Sequence, residues 1–308
     1  MGVNLEQKFN IKKGEFALKN PIISASGTYG YSIEYNIFND VSKLGAIVTK
    51  AITLEPRKGN EGARLYETAS GMINRIGLEN VGVEEFISKK IPILKKTGVN
   101  HIVNVAGSTI EDYCAVSKYL NEAGVDAIEL NVSCPNVKSG CLEFGTDASA
   151  LYDLVSAVRN EFEGFLIVKL TPNVSDVESL AIAAKNAGAD CLSAINTLKG
   201  LGVDLNFAGG KFRKTLAQGG LSGRAIKPVA LSFVKRVREA VDLPIIGLGG
   251  IANLQDIFEF MAVGADAIQI GTENFTHPDI CERLVNELTD FMTTNGFKDL
   301  KELKEALR

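Results

Sequence analysis

The chain has 308 residues, of which 45% are hydrophobic and 23% charged, and 33 Lys and Arg against 37 Asp and Glu leave a net charge of −4. That slightly acidic balance excludes a basic phosphate-gripping surface, so no nucleic-acid partner is expected. The length suits one large core, since roughly 250 residues already make a single α/β barrel and insertions are tolerated.

No apolar signal core opens the chain, and no apolar run approaches the roughly 18 residues of a membrane span, so a cytoplasmic protein without membrane contact is expected. The five cysteines, Cys114, Cys134, Cys141, Cys191 and Cys281, are odd in number and scattered, with no CxxC pair. They read as reduced thiols, and neither a disulfide framework nor a metal or cluster site is expected.

In chain order, residues 4–19 read as a hairpin whose turn is Lys12-Lys-Gly-Glu15, capping the N-terminal mouth of the sheet that follows. Eight short β-rich apolar runs come next, at 21–27, 46–52, 101–107, 127–135, 165–170, 191–197, 244–251 and 267–272. Stretches with apolar residues at three- and four-residue spacing separate most of them, at 81–96, 110–122, 148–161, 177–187, 225–241 and 254–263. Eight βα units predict an α/β fold of one domain over residues 1–308, a closed (β/α)8 TIM barrel in preference to an open doubly wound sheet. Three connections, at 53–80, 136–146 and 198–223, are longer than a barrel needs. All follow strands, so they are expected as long loops over the C-terminal face, where barrel active sites are built.

Polar residues and glycines stand at the ends of nearly every strand: Ser26, Lys50, Asn104, Asn131, Lys169, Asn196 with Thr197, Gly249 with Gly250, and Gly271 with Thr272. Any one of them is explained by backbone satisfaction in a loop; their convergence on one mouth points to a site. The glycines after the last two strands stand where barrels bind phosphate, and Gly223 adds a third backbone donor. Lys50 and Lys169 admit three roles: a Schiff-base amine, a point charge for a carboxylate or phosphate, and a stabiliser of a flavin that gains negative charge.

Cys134 lies in Asn131-Val-Ser-Cys-Pro-Asn136, directly after the apolar stretch Ala127-Ile-Glu-Leu130. A thiol at a strand end is a nucleophile, a base or a small buried hydrophobe. His101 falls at a strand start, on the face that serves stability, and His277 lies beyond the last strand near a helix start. Cys134 is then the group at the mouth whose ordinary pKa, about 8.5, suits a base near neutral pH.

Several segments together resemble the class 1 dihydroorotate dehydrogenases over the whole chain. They are Asn20-Pro-Ile-Ile-Ser-Ala-Ser-Gly27, Lys50-Ala-Ile-Thr53, Gly59-Asn60, Gly71-Met-Ile-Asn-Arg-Ile-Gly-Leu78, Glu129-Leu-Asn-Val-Ser-Cys-Pro-Asn-Val-Lys138, Val168-Lys-Leu-Thr-Pro-Asn173, Ile195-Asn-Thr197 and Gly219-Gly-Leu-Ser-Gly223. Glu67-Thr-Ala-Ser-Gly71, Asn104-Val-Ala-Gly107 and Gly271-Thr-Glu-Asn-Phe275 are similar to the NAD-dependent branch, class 1B. The resemblance implies FMN held by Ser26, Lys50, Ala51, Asn104, Asn131, Lys169, Ile195, Gly223, Gly249, Gly250, Gly271 and Thr272. It implies a dihydroorotate site of Lys50, Asn74, Arg75, Ile76, Gly77, Leu78, Asn131, Asn196 and Thr197, with Cys134 as the base on a mobile loop.

Electrons would pass from FMN to NAD through a partner subunit carrying FAD and a [2Fe-2S] cluster, around a homodimer core within a heterotetramer. Cys141 stands where the family pattern has glycine, Arg75 where it has a small residue and Arg224 where it has proline, and residues 205–218 diverge. Two competing readings are a lyase or aldolase using Lys50 or Lys169 as a Schiff-base amine, and a catalytically idle barrel serving in assembly.

Overall fold

The structure, a computed structural model, describes residues 2–11, 14–133 and 144–308. Strands β1 (Gln7–Ile11) and β2 (Gly14–Leu18) form the expected N-terminal hairpin, in the register Gln7↔Leu18 through Ile11↔Gly14. Gly14 and Glu15, expected in the turn, are strand residues instead. The register is set by burial, because it turns Phe9, Phe16 and Leu18 into one apolar face, and a one-residue slip would expose all three. Phe9 and Phe16 stack on Phe165 with ring centroids 5.1 and 4.7 Å apart.

The chain then enters the barrel through β3 (Ile22–Ser24) and β4 (Ala46–Val48). It leaves for an antiparallel pair, β5 (Leu65–Thr68) and β6 (Gly71–Asn74), and returns through β7 (Asn100–Val105), β8 (Ala127–Asn131), β9 (Phe165–Leu170) and β10 (Cys191–Ala194). A second excursion, β11 (Leu198–Ala208) and β12 (Lys211–Ser222), precedes β13 (Ile245–Leu248) and β14 (Ala267–Ile270). Strands β3, β4, β7, β8, β9, β10, β13 and β14 close in that order into a parallel barrel, as the eight apolar runs predict.

Two of the three long connections are not loops. Strands β11 and β12 pair over their whole length and join β6 and β5 in a four-stranded antiparallel sheet of order β11-β12-β6-β5. The turn between β11 and β12 is Gly209-Gly210, with φ of 61° and 75°, the backbone of a tight type I′ hairpin turn that side-chain-bearing residues resist. One face of this hairpin carries Leu201, Val203, Leu205, Phe207, Phe212 and Leu216, all exposed.

The helices are α1 (Val83–Glu85), α2 (Ile91–Leu94), α3 (Ile110–Glu122), α4 (Ala148–Glu161), α5 (Val177–Asn186), α6 (Lys227–Ala240), α7 (Leu254–Ala262), α8 (Glu273–Thr276), α9 (Ile280–Thr294) and α10 (Leu300–Leu307). The stretch expected as one helix over 81–96 is divided, with a π-helical turn at 86–90 between α1 and α2. Pro92 supplies no N–H for the carbonyl of Ser88, and a widened turn is one accommodation. Between β3 and β4 there are only two 3-10 turns, and α9 packs on β3 in place of a first barrel helix. Thr109, Asp147, Asp176, Asn253 and Asp299 each accept a backbone N–H of the following first turn, which starts the helices where the amphipathic pattern begins.

Alternation along the strands sorts the core into two bodies. Outward residues such as Ile22, Ile47, Val103, Ile128, Leu166 and Ile268 pack with the helices, against Tyr113, Leu151, Leu180, Val237 and Leu284. Inward residues Ile23, Val48, Ile102, Phe165, Ile167 and Ile246 form a separate cluster sealed from below by Phe9, Phe16 and Leu18. The barrel floor is therefore dry, and inward positions nearer the C-terminal ends are polar.

Candidate active site

The same alternation carries each strand from the apolar floor up to the mouth. On β8 the inward positions are Ala127, Glu129 and Asn131; on β9 they are Phe165, Ile167 and Lys169; on β7 they are Ile102 and Asn104. Glu129 is fully buried and gathers four donors. Asn104 Nδ2 and Lys169 Nζ reach its Oε1 at 2.7 and 3.3 Å, while Ser193 Oγ and Gln269 Nε2 reach its Oε2 at 2.8 Å each. Lys169 is almost wholly buried beside it. Asn104 and Lys169, predicted from their strand ends, are thus brought together by a carboxylate that the sequence reading passed over, along with Ser193 and Gln269. The signal was present: a glutamate at inward parity within the apolar run Ala127-Ile-Glu-Leu130.

One level higher, Asn196 Nδ2 donates to Asn131 Oδ1 at 3.0 Å, and the Asn131 carbonyl accepts the buried Tyr113 hydroxyl at 2.7 Å. Asn196 Oδ1 is taken by the Thr197 N–H at 2.8 Å. Lys50 lies two residues past β4, partly exposed, with its ammonium 3.8 Å from Glu79, whose carboxylate also binds Arg64. Ser26 Oγ donates to the Thr49 carbonyl at 2.9 Å, and Ala51 is buried beside it in sequence after Lys50.

The four-stranded sheet brings the second excursion over this mouth. Asn74 Nδ2 donates to the Gly220 carbonyl at 3.2 Å, which ties β6 to β12. Gly77 and Leu78 follow with φ of 76° and 56°, and Ile76 accepts the Asn60 N–H at 3.0 Å. Arg75 is exposed. Its backbone N–H donates to the Arg64 carbonyl at 2.8 Å.

The glycines form a second group. Gly223, Gly249 and Gly250 have φ of 92°, 130° and 78°. A Cβ at Gly250 would lie 2.8 Å from the Gly223 carbonyl, and one at Gly223 would lie 2.7 Å from the Gly71 Cα. Gly223 caps the helical turn Arg224–Ile226 that leads into α6. Thr272 Oγ1 donates to Ser222 Oγ at 2.8 Å, closing the ring between β12 and β14, while buried Ile195 donates its N–H to the Leu248 carbonyl at 2.9 Å. Backbone N–H groups at such turns and at the start of α6 suit an anion.

Cys134 and Cys141 lie outside the described residues, as does most of the connection expected over 136–146. His101 is mostly buried near the start of β7, and His277 is half exposed against Glu273, so neither faces the mouth residues described above.

The family model for dihydroorotate dehydrogenase matches residues 8–292. The chain belongs to the dihydroorotate dehydrogenase family. It is 47% identical to the protein named dihydroorotate dehydrogenase B (NAD(+)), catalytic subunit, of Alkaliphilus metalliredigens, over 98% of this chain and 99% of that one. Proteins of the same name from Listeria monocytogenes and Bacteroides thetaiotaomicron are 48% and 45% identical, over 94% and 97% of this chain and 95% and 98% of theirs.

Dihydroorotate dehydrogenases of this family depend on FMN. The residues here fit that group on two independent features. Gly223, Gly249 and Gly250 hold positive-φ turns packed too closely for a Cβ, the kind of tight backbone turn whose N–H groups can approach a phosphate. Above Glu129, Asn104 Oδ1 and Gln269 Oε1 are buried without a protein partner among the described residues, as expected for acceptors aimed at the N–H edge of a bound ring. No helix among the described residues is long and apolar enough to cross a membrane.

Proposed function

We propose that this chain is the catalytic subunit of an NAD-dependent dihydroorotate dehydrogenase, one FMN-binding domain over residues 1–308 that oxidises (S)-dihydroorotate to orotate in pyrimidine biosynthesis. The observation that carries the reading is the layering of the mouth. Asn131, Asn196 and Lys50 stand above Asn104 and Lys169, with the glycine cradle at one side.

FMN, when bound, supplies the acceptor for the hydride that leaves C6 of the substrate. Ser26, Ala51, Asn104, Asn131, Lys50, Ile195 and Gly271 would hold its ring system and ribityl chain together with Lys169, and Gly223, Gly249, Gly250 and Thr272 would hold its phosphate. The chain's own residues position the substrate above it. Lys50 meets the substrate carboxylate, and its ammonium stands 3.8 Å from Glu79. Because Asn131 Oδ1 already accepts from Asn196, the Asn131 amide presents its N–H groups to a ring carbonyl. Asn74, Gly77 and Leu78 close the site from the β5–β6 arm, with Arg75, Ile76 and Thr197 beside them. Cys134, three residues beyond Asn131, takes the proton at C5, so that removal of the proton and the hydride leaves the ring double bond of orotate.

Electrons leave for NAD through a partner subunit holding FAD and a [2Fe-2S] cluster. A second copy of this chain completes the core of a heterotetramer, and the exposed apolar face of β11 and β12 suits such a contact. Both lysines of the mouth are paired with carboxylates, Lys50 with Glu79 and Lys169 with Glu129.

Purified protein is expected to be yellow and to bleach with dihydroorotate under anaerobic conditions; borohydride trapping of a carbonyl substrate on Lys50 or Lys169 would overturn the reading. Cys134→Ser is expected to keep the flavin and to slow its reduction about 10²- to 10⁴-fold. In the wild type the reduction rate is expected to rise from neutral pH toward the ordinary thiol pKa of about 8.5, and a flat profile would assign the proton to another group. Co-purification with an iron-sulfur flavoprotein tests the partner.

A further inference from the structure

We propose that Glu129 is the positioning residue beneath the flavin: its carboxylate sets which way Asn104, Gln269 and Lys169 face and moderates the positive charge that Lys169 offers to FMN. The inference rests on the FMN reading above and concerns a residue one layer below it.

A carboxylate with no exposure in a barrel interior is costly to desolvate, and a well-packed apolar side chain in its place is often equally stable. Stability alone therefore gives no reason for it. Its four partners come from four different strands, Asn104 on β7, Lys169 on β9, Ser193 on β10 and Gln269 on β14, two to each oxygen. A carboxylate only accepts, so both amides must turn their NH2 groups down to it. Their oxygens are thereby turned away from it, and both are buried without a protein partner among the described residues. A buried acceptor left without a donor is costly, and the flavin ring has an N–H to supply. Lys169, held at 3.3 Å, is fixed in place, and part of its charge is balanced before any ligand arrives.

Replacing the carboxylate by an amide changes both effects. In Glu129→Gln an NH2 replaces an oxygen that accepts two donors; because Lys169 can only donate, the new NH2 turns to Ser193 and Gln269, so the hydroxyl rotates, the Gln269 amide flips and its oxygen no longer faces the flavin. The negative charge below Lys169 also disappears, which favours the reduced flavin because it carries more negative charge. Oxidised FMN is expected to bind about tenfold more weakly, with reduced FMN little affected. A tenfold change in that ratio is a positive shift of about 30 mV in the two-electron midpoint potential. Ser193→Ala acts in the other direction: the carboxylate loses a neutral donor, its charge is less compensated, and the midpoint moves to more negative values.

The experiment is FMN titration of the stripped full chain and equilibration of the reloaded protein with reference dyes, for the wild type, Glu129→Gln and Ser193→Ala. Shifts of opposite sign in the two variants support the proposal. A wild-type potential in folded, FMN-loaded Glu129→Gln overturns it, as do shifts of the same sign, which a loosened core would give. If Glu129→Gln does not fold, the sign of the Ser193→Ala shift decides, with no shift or a positive one overturning the proposal. Failure of the wild-type chain to take up FMN would instead overturn the reading beneath it.

Discussion

Replacing Lys169 by Met leaves the Glu129 carboxylate in the barrel with its three neutral donors, Asn104, Ser193 and Gln269, and without its cation. Breaking a buried pair from one side costs about 3–5 kcal/mol, because the remaining charge has lost its compensation. Three retained hydrogen bonds place this case at the lower end, at about 3 kcal/mol. With a urea slope of about 3 kcal/mol per molar, the unfolding midpoint falls by about 1 M. Glu129→Gln, which leaves the ammonium instead, is expected to cost a similar amount. The double variant carries neither charge, so it is expected to be more stable than the sum of the single changes by about 1–3 kcal/mol.

The assay is urea unfolding of the flavin-free chain followed by circular dichroism, since the chain has no Trp and bound flavin would add its own linkage to the result. A midpoint for Lys169→Met within error of the wild type, or single changes that simply add, would falsify the view that this pair is dry and mutually dependent.

Gly250→Ala puts a Cβ 2.8 Å from the Gly223 carbonyl at a φ of 78°, so strain of about 1–2 kcal/mol is expected together with displacement of the anion cradle. FMN affinity should fall about tenfold or more, read by quenching of flavin fluorescence, and unchanged affinity would remove the cradle from the phosphate site. His101 is mostly buried with Nε2 unpartnered, and burial pushes its pKa from 6.5 down to about 4. The unfolded chain then binds this proton more readily, so stability falls as pH drops from 6.5 through 4, by up to about 3 kcal/mol. In His101→Gln this part of the acid sensitivity is expected to vanish; a stability difference from the wild type that is constant between pH 7 and 4 refutes the assignment.

Much of this molecule was readable along the chain. Eight apolar runs at regular spacing predict the barrel, because each strand is buried on both faces and reads as a short continuous apolar segment. Phe9 and Phe16, in alternating segments, predict a plug. The hairpin of β11 and β12 was written in the sequence too, as alternating Leu201, Val203, Leu205 and Phe207 followed by Gly209-Gly210, yet its length and position after a barrel strand read as a loop. Pro92 marks the point where the helix expected over 81–96 divides.

What the sequence determined by itself is where polar groups end strands, since that depends on local pattern and on the barrel rule that sites form at the C-terminal face. Asn104, Asn131, Lys169 and the glycines after the last two strands were legible on those grounds. What only the tertiary structure decided is the partnership of groups across the barrel. Glu129 meets Ser193 64 residues away and Gln269 140 residues away, and nothing in Ala127-Ile-Glu-Leu130 announces those contacts. Closure of the sheet brings β8, β10 and β14 around one axis, and in that dry interior a buried carboxylate must find every donor that the surrounding strands can turn inward.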